Sequence, residues 1–287
     1  MTKILDGKAC AANMRSQLQA KIDAQLADGK RRPGLAVILV GEDPASAIYV
    51  RNKHRACEKA GIKSMQYLLP SDATESQLID LIDTLNEDPE IDGMIIQLPL
   101  PAGMDVVKIQ ERVRSDKDVD GFCAEQAGLL FRNRPCLESC TPKGIISLLD
   151  ANGIEIEGQH AVVVGRSDIV GKPLSILLLN RGATVSICHS KTPDLAAITR
   201  QADILCVATG KRHLISAEHI KPGAVVVDVG IHRDDSGKLA GDVNYEDVVD
   251  LCSWITPVPG GVGPMTIASL LENTWLAYCD HLGINEA

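Results

Sequence analysis

"HAVVVGRSDIVGKPLSILLLNRGATVSICHSKT", residues 160–192, is the stretch on which the fold turns. A valine run ends in glycine, an apolar helical pattern starts after a second glycine, and another β-branched run follows. Strand, turn, helix and strand in that order have about the length of a dinucleotide-binding βαβ unit. The pattern predicts a strand over 160–165, a helix over 172–181 and a strand over 183–188. The turn is not G-x-G-x-x-G. Gly165 and Gly171 bracket Arg166 and Ser167, the usual close-approach glycine is missing, and a plain βαβ turn remains open beside a nucleotide site. A ligand is favoured by the helix beyond, whose N-terminal amides can bind a phosphate.

The end of the second strand bears on which ligand. NAD sites commonly place an acid there, against the adenosine ribose 2′-hydroxyl. Here "CHSKT" puts Ser190 and Lys191 in its place, and Arg166 could face the same ribose. A cation and a hydroxyl without a carboxylate favour the 2′-phosphate of NADP. "VATG" (207–210) and "VVDVGI" (226–231) end further strands in glycine, where backbone can pass close to a flat ligand. Asp228 reads as a polar core residue.

Outward from that unit, the second half continues with a helix at 194–201, strands at 203–208, 224–229 and 252–256, and a last helix from Pro264 to about 282. The first half alternates in the same way. It reads as a helix at 8–28, a strand at 34–41, a helix at 46–61, a strand at 64–70, a helix at 74–88 and a strand at 91–101. Thr74 and Gln77 form a capping box for the third of these helices. Residues 115–140 are polar and irregular, a linker or a cleft floor, and "TPKGIISLLDANG" is a helix with Pro142 in its first turn and Gly153 past its end. This is α/β architecture around mainly parallel sheet. A length of 287 residues allows two domains, read as 1–122 and 123–287, with the last helix expected to pack back towards the first.

Composition narrows the function classes. Aromatics at 3% leave Leu, Ile, Val and Ala to fill the core and argue against base stacking. A net charge of -9 and a pI near 5.3, without a basic stripe, exclude nucleic acid as the main partner. The nine cysteines are scattered, with no C-x-x-C or zinc-ligand spacing. They read as small core residues of a reducing compartment, and no metal is expected. Neither an apolar leader nor a membrane-length apolar run is present, which predicts a cytoplasmic protein without a membrane segment.

One helix carries a misplaced charge. In "SAIYVRNKHRACEKAG" (46–61), at about 100° per residue, Ala56, Tyr49, Ala60, Lys53, Ser46, Cys57 and Val50 share one arc of roughly 120°. Arg51, Arg55, Glu58 and Lys59 lie opposite. Lys53 thus sits in the middle of the small, apolar face. Either it snorkels to water, or it projects into a cleft where desolvation makes a lysine useful as a base or proton carrier.

That helix, with "DGMIIQLPLP", "DKDVDGF", "TPKG", "VVVGRSDIVGKP" and "TPVPGGVGPMT", closely resembles the bifunctional methylenetetrahydrofolate dehydrogenase/methenyltetrahydrofolate cyclohydrolase (FolD) family, in order along nearly the whole chain. One departure is Ser139, where the family commonly has proline before Cys-Thr-Pro. The resemblance implies two α/β domains flanking a cleft, a tetrahydrofolate-binding first domain and a Rossmann-type NADP-binding second one, usually as a homodimer. It also implies NADP-dependent oxidation of 5,10-methylenetetrahydrofolate and hydrolysis of the methenyl product to 10-formyltetrahydrofolate, in one-carbon metabolism and purine biosynthesis.

Residue roles follow from the same resemblance. Lys53 matches the catalytic lysine, Tyr49 the tyrosine whose ring lies along the substrate, and Gln97 the lysine's hydrogen-bond partner. Asp120 is matched to the pterin ring, while Asp118 stays with the turn. Pro259, Gly260 and Gly261 border the folate. Gly165, Arg166, Ser167, Ile169, Gly171, Ser190, Thr209, Gly210 and Ile231 are matched to NADP. Two other readings are a shikimate dehydrogenase-like NADP enzyme, and a dinucleotide-sensing module that binds NADP without turnover.

Overall fold

The computed structural model describes residues 1–41, 44–233 and 237–284, with 44–49 described by backbone alone. In chain order the elements begin β1 (Lys3–Ile4), α1 (Gly7–Ala27), β2 (Gly34–Val40), α2 (Pro44–Ala60), β3 (Lys63–Leu69), α3 (Glu75–Glu87) and β4 (Gly93–Ile96). Then come α4 (Val106–Gln110), α5 (Ala124–Phe131), α6 (Cys140–Ala151), β5 (His160–Val164), α7 (Gly171–Asn180), β6 (Thr184–Cys188) and α8 (Leu195–Thr199). The chain continues through β7 (Ile204–Val207), β8 (Val225–Asp228), β9 (His232–Arg233), β10 (Leu239–Ala240), α9 (Tyr245–Val248), β11 (Trp254–Ile255) and α10 (Val262–Leu282). No helix of the described residues is long and apolar enough to cross a membrane.

Two compact units are formed, one from 13–140 and 267–284, the other from 1–12 and 141–266. The first is built on the sheet β3-β2-β4, parallel throughout. Every residue of β2 is buried, and its side chains alternate between two cores. Leu35, Val37 and Leu39 pack with Leu18 and Ile22 of α1, Cys57 of α2, and Leu270, Leu271, Trp275 and Tyr278 of α10. Ala36, Ile38 and Val40 pack with Leu78, Ile82 and Leu85 of α3. Burial on both faces explains why "GLAVILV" is apolar without alternation. The expected capping box opens α3: Gln77 N–H donates to Thr74 Oγ1 at 3.2 Å, and Thr74 N–H donates to Gln77 Oε1 at 2.8 Å.

The second unit carries the parallel sheet β1-β11-β8-β7-β5-β6. The chain passes from β5 to β6 on one side, then returns to place β7 on the other side of β5, a topological switch point of the kind where α/β sheets bind ligands. Valines and leucines of β5, β7 and β8 fill its core with Ile215, Ile220, Val243 and Val248.

The structure departs from the sequence reading at several points, and the short elements β1, α4, β9, β10 and α9 were not expected at all. Residues 115–140 are ordered, with a 3₁₀ turn at Ser115–Lys117 and helix α5, whose start at Cys123 has no side-chain cap to announce it. Cys123–Cys140 sit with the first unit, because Leu137 and Cys140 join its core, so the division falls at 140/141 and not at 122/123, and residues 1–12, expected in the first domain, go with the second unit, whose sheet β1 joins. The strand read over 91–101 pairs only at Gly93–Ile96.

The end of α10 is fixed by charge. Asp92, fully buried, accepts two hydrogen bonds from Arg31 at 2.6 and 2.7 Å and one from Gly34 N–H at 2.8 Å. His281 Nδ1 lies 3.0 Å from Asp92 Oδ1, and its Nε2 lies 3.3 Å from Asp116 Oδ2. The bond to Asp92 holds the imidazole above its ordinary range, against burial, which pulls it down. A raised folded-state value means that the stability is present in full below about pH 6.5 and fades as pH rises through the folded value. Unfolding temperature should therefore fall as pH rises from about 6.5 through the folded value. In His281→Gln that slope should flatten, with a loss of under ~1 kcal/mol at neutral pH. Thermal melts of both proteins across this range check it, and equal slopes would refute it.

Candidate active site

Lys53 is half-buried on α2, whereas Arg51, Arg55, Glu58 and Lys59 on the same helix are exposed, as the angular argument requires. Its Nζ donates to Gln97 Oε1 at 3.2 Å. Gln97 is held at the end of β4 by its own N–H to Ile38 O at 2.8 Å, and its Nε2 donates to Leu98 O at 2.8 Å. With the amide nitrogen so engaged, the amide oxygen faces the lysine. The Tyr49 and Ser46 side chains lie outside the described residues.

Asp120 completes the group. Burial pushes its carboxyl up to about 6, against the attraction of the Lys53 ammonium; Asp118 adds to the rise and the Cys140 thiol opposes it. The motif "DKDVDGF" supplies the support. Asp118, buried, accepts from Gly121 N–H at 3.1 Å, Phe122 N–H at 2.8 Å and Cys123 N–H at 2.7 Å, which folds the turn around Asp120. Lys117, also buried, donates to Leu85 O at 3.1 Å and Asp88 O at 2.8 Å, closing the C-terminal end of α3. Gly121 has φ +69°, and a Cβ there would lie 2.4 Å from Leu137 O. From α10, Asn273 Nδ2 donates to Val119 O at 2.9 Å and Glu138 O at 2.7 Å, fixing the peptide just before Asp120.

The second unit gathers the other candidates around its switch point. Gly165 follows β5 with φ +130°, and a Cβ on it would lie 2.1 Å from Ala208 O. A Cβ on Gly171 would lie 2.3 Å from Gly165 O, so α7 starts tight against the turn. Both glycines serve backbone packing. The intervening residues need none, which is why the dinucleotide fingerprint is incomplete. Ser167 Oγ accepts from Val170 N–H at 3.2 Å and Gly171 N–H at 3.3 Å, capping α7. Arg166, Ile169, Ser190, Gly210 and Ile231 are exposed, and Thr209 is half-buried. Pro259, Gly260 and Gly261 lie in the loop before α10, in this unit, where Gly260 has φ +110°.

Residues 5–120 match the model of the tetrahydrofolate dehydrogenase/cyclohydrolase catalytic domain, and residues 139–282 match that of the tetrahydrofolate dehydrogenase/cyclohydrolase NAD(P)-binding domain. The chain belongs to the tetrahydrofolate dehydrogenase/cyclohydrolase family. Membership makes it an enzyme with both activities. The bifunctional FolD methylenetetrahydrofolate dehydrogenase/cyclohydrolase of Campylobacter jejuni is 48% identical with a TM-score of 0.96, over 98% of this chain and 99% of that one. The 5,10-methylenetetrahydrofolate dehydrogenase of the silkworm Bombyx mori is 41% identical with a TM-score of 0.93, over 99% and 100% of the two chains. The Trypanosoma brucei dehydrogenase-cyclohydrolase, solved with NADP and an inhibitor, is 36% identical with a TM-score of 0.94, over 98% of each chain. A shikimate dehydrogenase from Peptoclostridium difficile, 13% identical over 85% of this chain and 91% of that one, with a TM-score of 0.54, shares the fold alone. The shikimate-type and sensing-module readings therefore give way to a tetrahydrofolate dehydrogenase/cyclohydrolase.

Within this family assignment, Lys53, Gln97 and Asp120 fall in the catalytic-domain match, and the candidates from Gly165 to Gly261 fall in the NAD(P)-binding match. Sequence reasoning missed Asn273. Asn273 gave no local signal, since it sits between the polar Glu272 and Thr274 within α10.

Proposed function

We propose that Lys53, Gln97 and Asp120 are the folate-handling residues of this enzyme, which oxidises 5,10-methylenetetrahydrofolate with NADP and hydrolyses the methenyl product to 10-formyltetrahydrofolate. The observation that supports this most is the hydrogen bond of Lys53 to Gln97, with the Lys53 ammonium also drawing on the buried Asp120 carboxyl, all within one unit. Asp120 offers two oxygens to the pterin amino group and ring N–H, which are two adjacent donors. Gln97 holds Lys53 through a neutral oxygen, without the fixed charge that a glutamate would bring. Lys53 is the proton carrier. As water adds to the methenyl carbon and the C–N bond opens, the lysine takes the proton that the water loses and delivers one to the departing ring nitrogen. Tyr49, one turn before Lys53, lines the substrate, and Pro259, Gly260 and Gly261 border it.

NADP supplies the hydride acceptor for the first step. The residues present fit it: the exposed Arg166 and Ser190 at the ends of β5 and β6, a cation and a hydroxyl that a phosphate can meet, and the exposed apolar side chains Ile169 and Ile231 that a flat ligand can cover. Gly165, Arg166, Ser167, Ile169, Gly171, Ser190, Thr209, Gly210 and Ile231 hold it, with Arg166 and Ser190 on the 2′-phosphate. Arg166→Ala should weaken NADP by about 10- to 150-fold, one charge-assisted contact of about 1.5–3 kcal/mol, and NAD far less. Titration of both nucleotides checks this, and equal weakening would refute it.

The whole reading is tested by following NADP reduction with methylenetetrahydrofolate and, separately, loss of methenyltetrahydrofolate, corrected for spontaneous hydrolysis. NADP binding without either turnover would sink it. The reading extends to a homodimer, testable by light scattering. A cytoplasmic setting that feeds formyl groups to purine biosynthesis is in keeping with nine free cysteines, and imaging of a tagged chain tests the compartment.

A further inference from the structure

Asp242 is fully buried, with its carboxylate at the meeting of two loops that leave the six-stranded sheet. Its Oδ2 accepts from Thr209 N–H at 2.6 Å, Thr209 Oγ1–H at 3.0 Å and Gly210 N–H at 3.1 Å, all in the loop after β7. Its Oδ1 accepts from His232 Nε2 at 2.7 Å, in the segment after β8. Asp242 is itself seated by Asp228, whose Oδ1 accepts from Asp242 N–H at 3.0 Å and Gly230 N–H at 3.0 Å, and whose Oδ2 accepts from Val243 N–H at 2.9 Å. There is no slack in this arrangement. A Cβ on Gly230 would lie 2.3 Å from Asp242 Oδ1, and one on Gly241 would lie 1.8 Å from Asp228 Oδ2.

The topology says which part of a dinucleotide these loops serve. The sheet order is β8-β7-β5-β6, so the β5–β6 side, with Arg166 and Ser190, is one mononucleotide half and the β7–β8 side is the other. If the 2′-phosphate lies at the end of β6, the nicotinamide half falls to the loops after β7 and β8. Resting on the NADP reading above, we propose that Asp242, with His232, is a positioning residue that locks Thr209–Gly210 and Ile231 into one rigid bed for the nicotinamide half of NADP. It touches the loops and not the ligand. Its carboxylate engages four donors, including two successive amides, so its loss frees both loops at once.

The test separates the two halves of the cofactor. Asp242→Asn is isosteric: its single oxygen can keep the Thr209 amide, but its NH2 cannot accept from His232. Calorimetric titration with NADP and with adenosine 2′,5′-bisphosphate, which lacks the nicotinamide half, is expected to show NADP weakened by about tenfold or more and the bisphosphate unchanged. Dehydrogenase kcat should fall, whereas cyclohydrolase activity, which consumes no NADP, should match the wild type on the same preparation. The second pair is His232→Leu, expected to show a smaller loss of the same kind, and His232→Gln, whose amide can again donate to Asp242 and should restore binding. Equal weakening of both nucleotides, parallel loss of cyclohydrolase, or unchanged NADP binding in Asp242→Asn and His232→Leu would each overturn the proposal. A wild-type enzyme that bound neither nucleotide would overturn the NADP reading and this one with it.

Discussion

Lys53→Met is expected to lower methenyltetrahydrofolate hydrolysis by about 10²–10⁴-fold, the range for loss of a general acid–base group, while leaving a measurable dehydrogenase. Methionine keeps the stem's bulk on the half-buried face of α2 and removes the nitrogen that meets Gln97. Hydride transfer from the bridging carbon abstracts no proton from the substrate and depends on alignment, so it suffers only as far as the folate shifts. Hydrolysis has no such escape. Gln97 cannot stand in, because an amide does not titrate in this range. Both steps must be assayed on one preparation, with substrate binding shown to survive. A folded Lys53→Met enzyme that bound substrate and hydrolysed the methenyl compound normally would return Lys53 to a snorkelling surface role.

Asp120→Ala should lower both activities together, each by about 10²–10⁴-fold in kcat/KM, since two hydrogen bonds to a charged acceptor are lost, with NADP binding unchanged. Loss of one activity alone would make Asp120 a chemical group and not an anchor. A pH signature accompanies it. Burial raises the Asp120 carboxyl from 3.8 to about 6, so the free enzyme begins to lose its acceptor pair near neutrality, and folate KM should climb as pH falls through about 6. The sign for stability is the reverse of the usual aspartate. Its folded value lies above its unfolded one, so the ionised form works against the fold above that pH. Asp120→Asn should therefore be at least as stable as the wild type at pH 7, yet poor at binding folate. Melting curves and KM profiles of the two proteins compare these outcomes.

The placement of Lys53 was legible because it needs only the helical repeat, and the opening of α3 because Thr74 and Gln77 are three residues apart. The βαβ unit was legible for the same reason. The supports of Asp120 were not. Asn273 donates to Val119 across 154 residues and Lys117 reaches Leu85 across 32, pairings that no local pattern announces. Asp242 likewise joins Thr209 across 33 residues. Helix α5 was missed for a local reason: Gly128 sits within it, and Cys123 provides no cap. Resemblance to the family supplied roles for Gln97 and Asp120 that their own residue types left ambiguous.

The core shared by β2 and α10 sets an order on the birth of the molecule. Leu35 and Val37 leave the ribosome well before their partners Leu271, Trp275 and Tyr278, which follow only after the whole segment 141–266 has been made. The segment 141–266 between them can complete its sheet first, apart from β1, which is already waiting. Until α10 emerges, the earlier sheet carries an open apolar face, the kind of surface that chaperones bind and that aggregates when crowded. A frameshift or stop codon just before α10 would therefore spare most of the six-stranded sheet and strand the half of the protein made first.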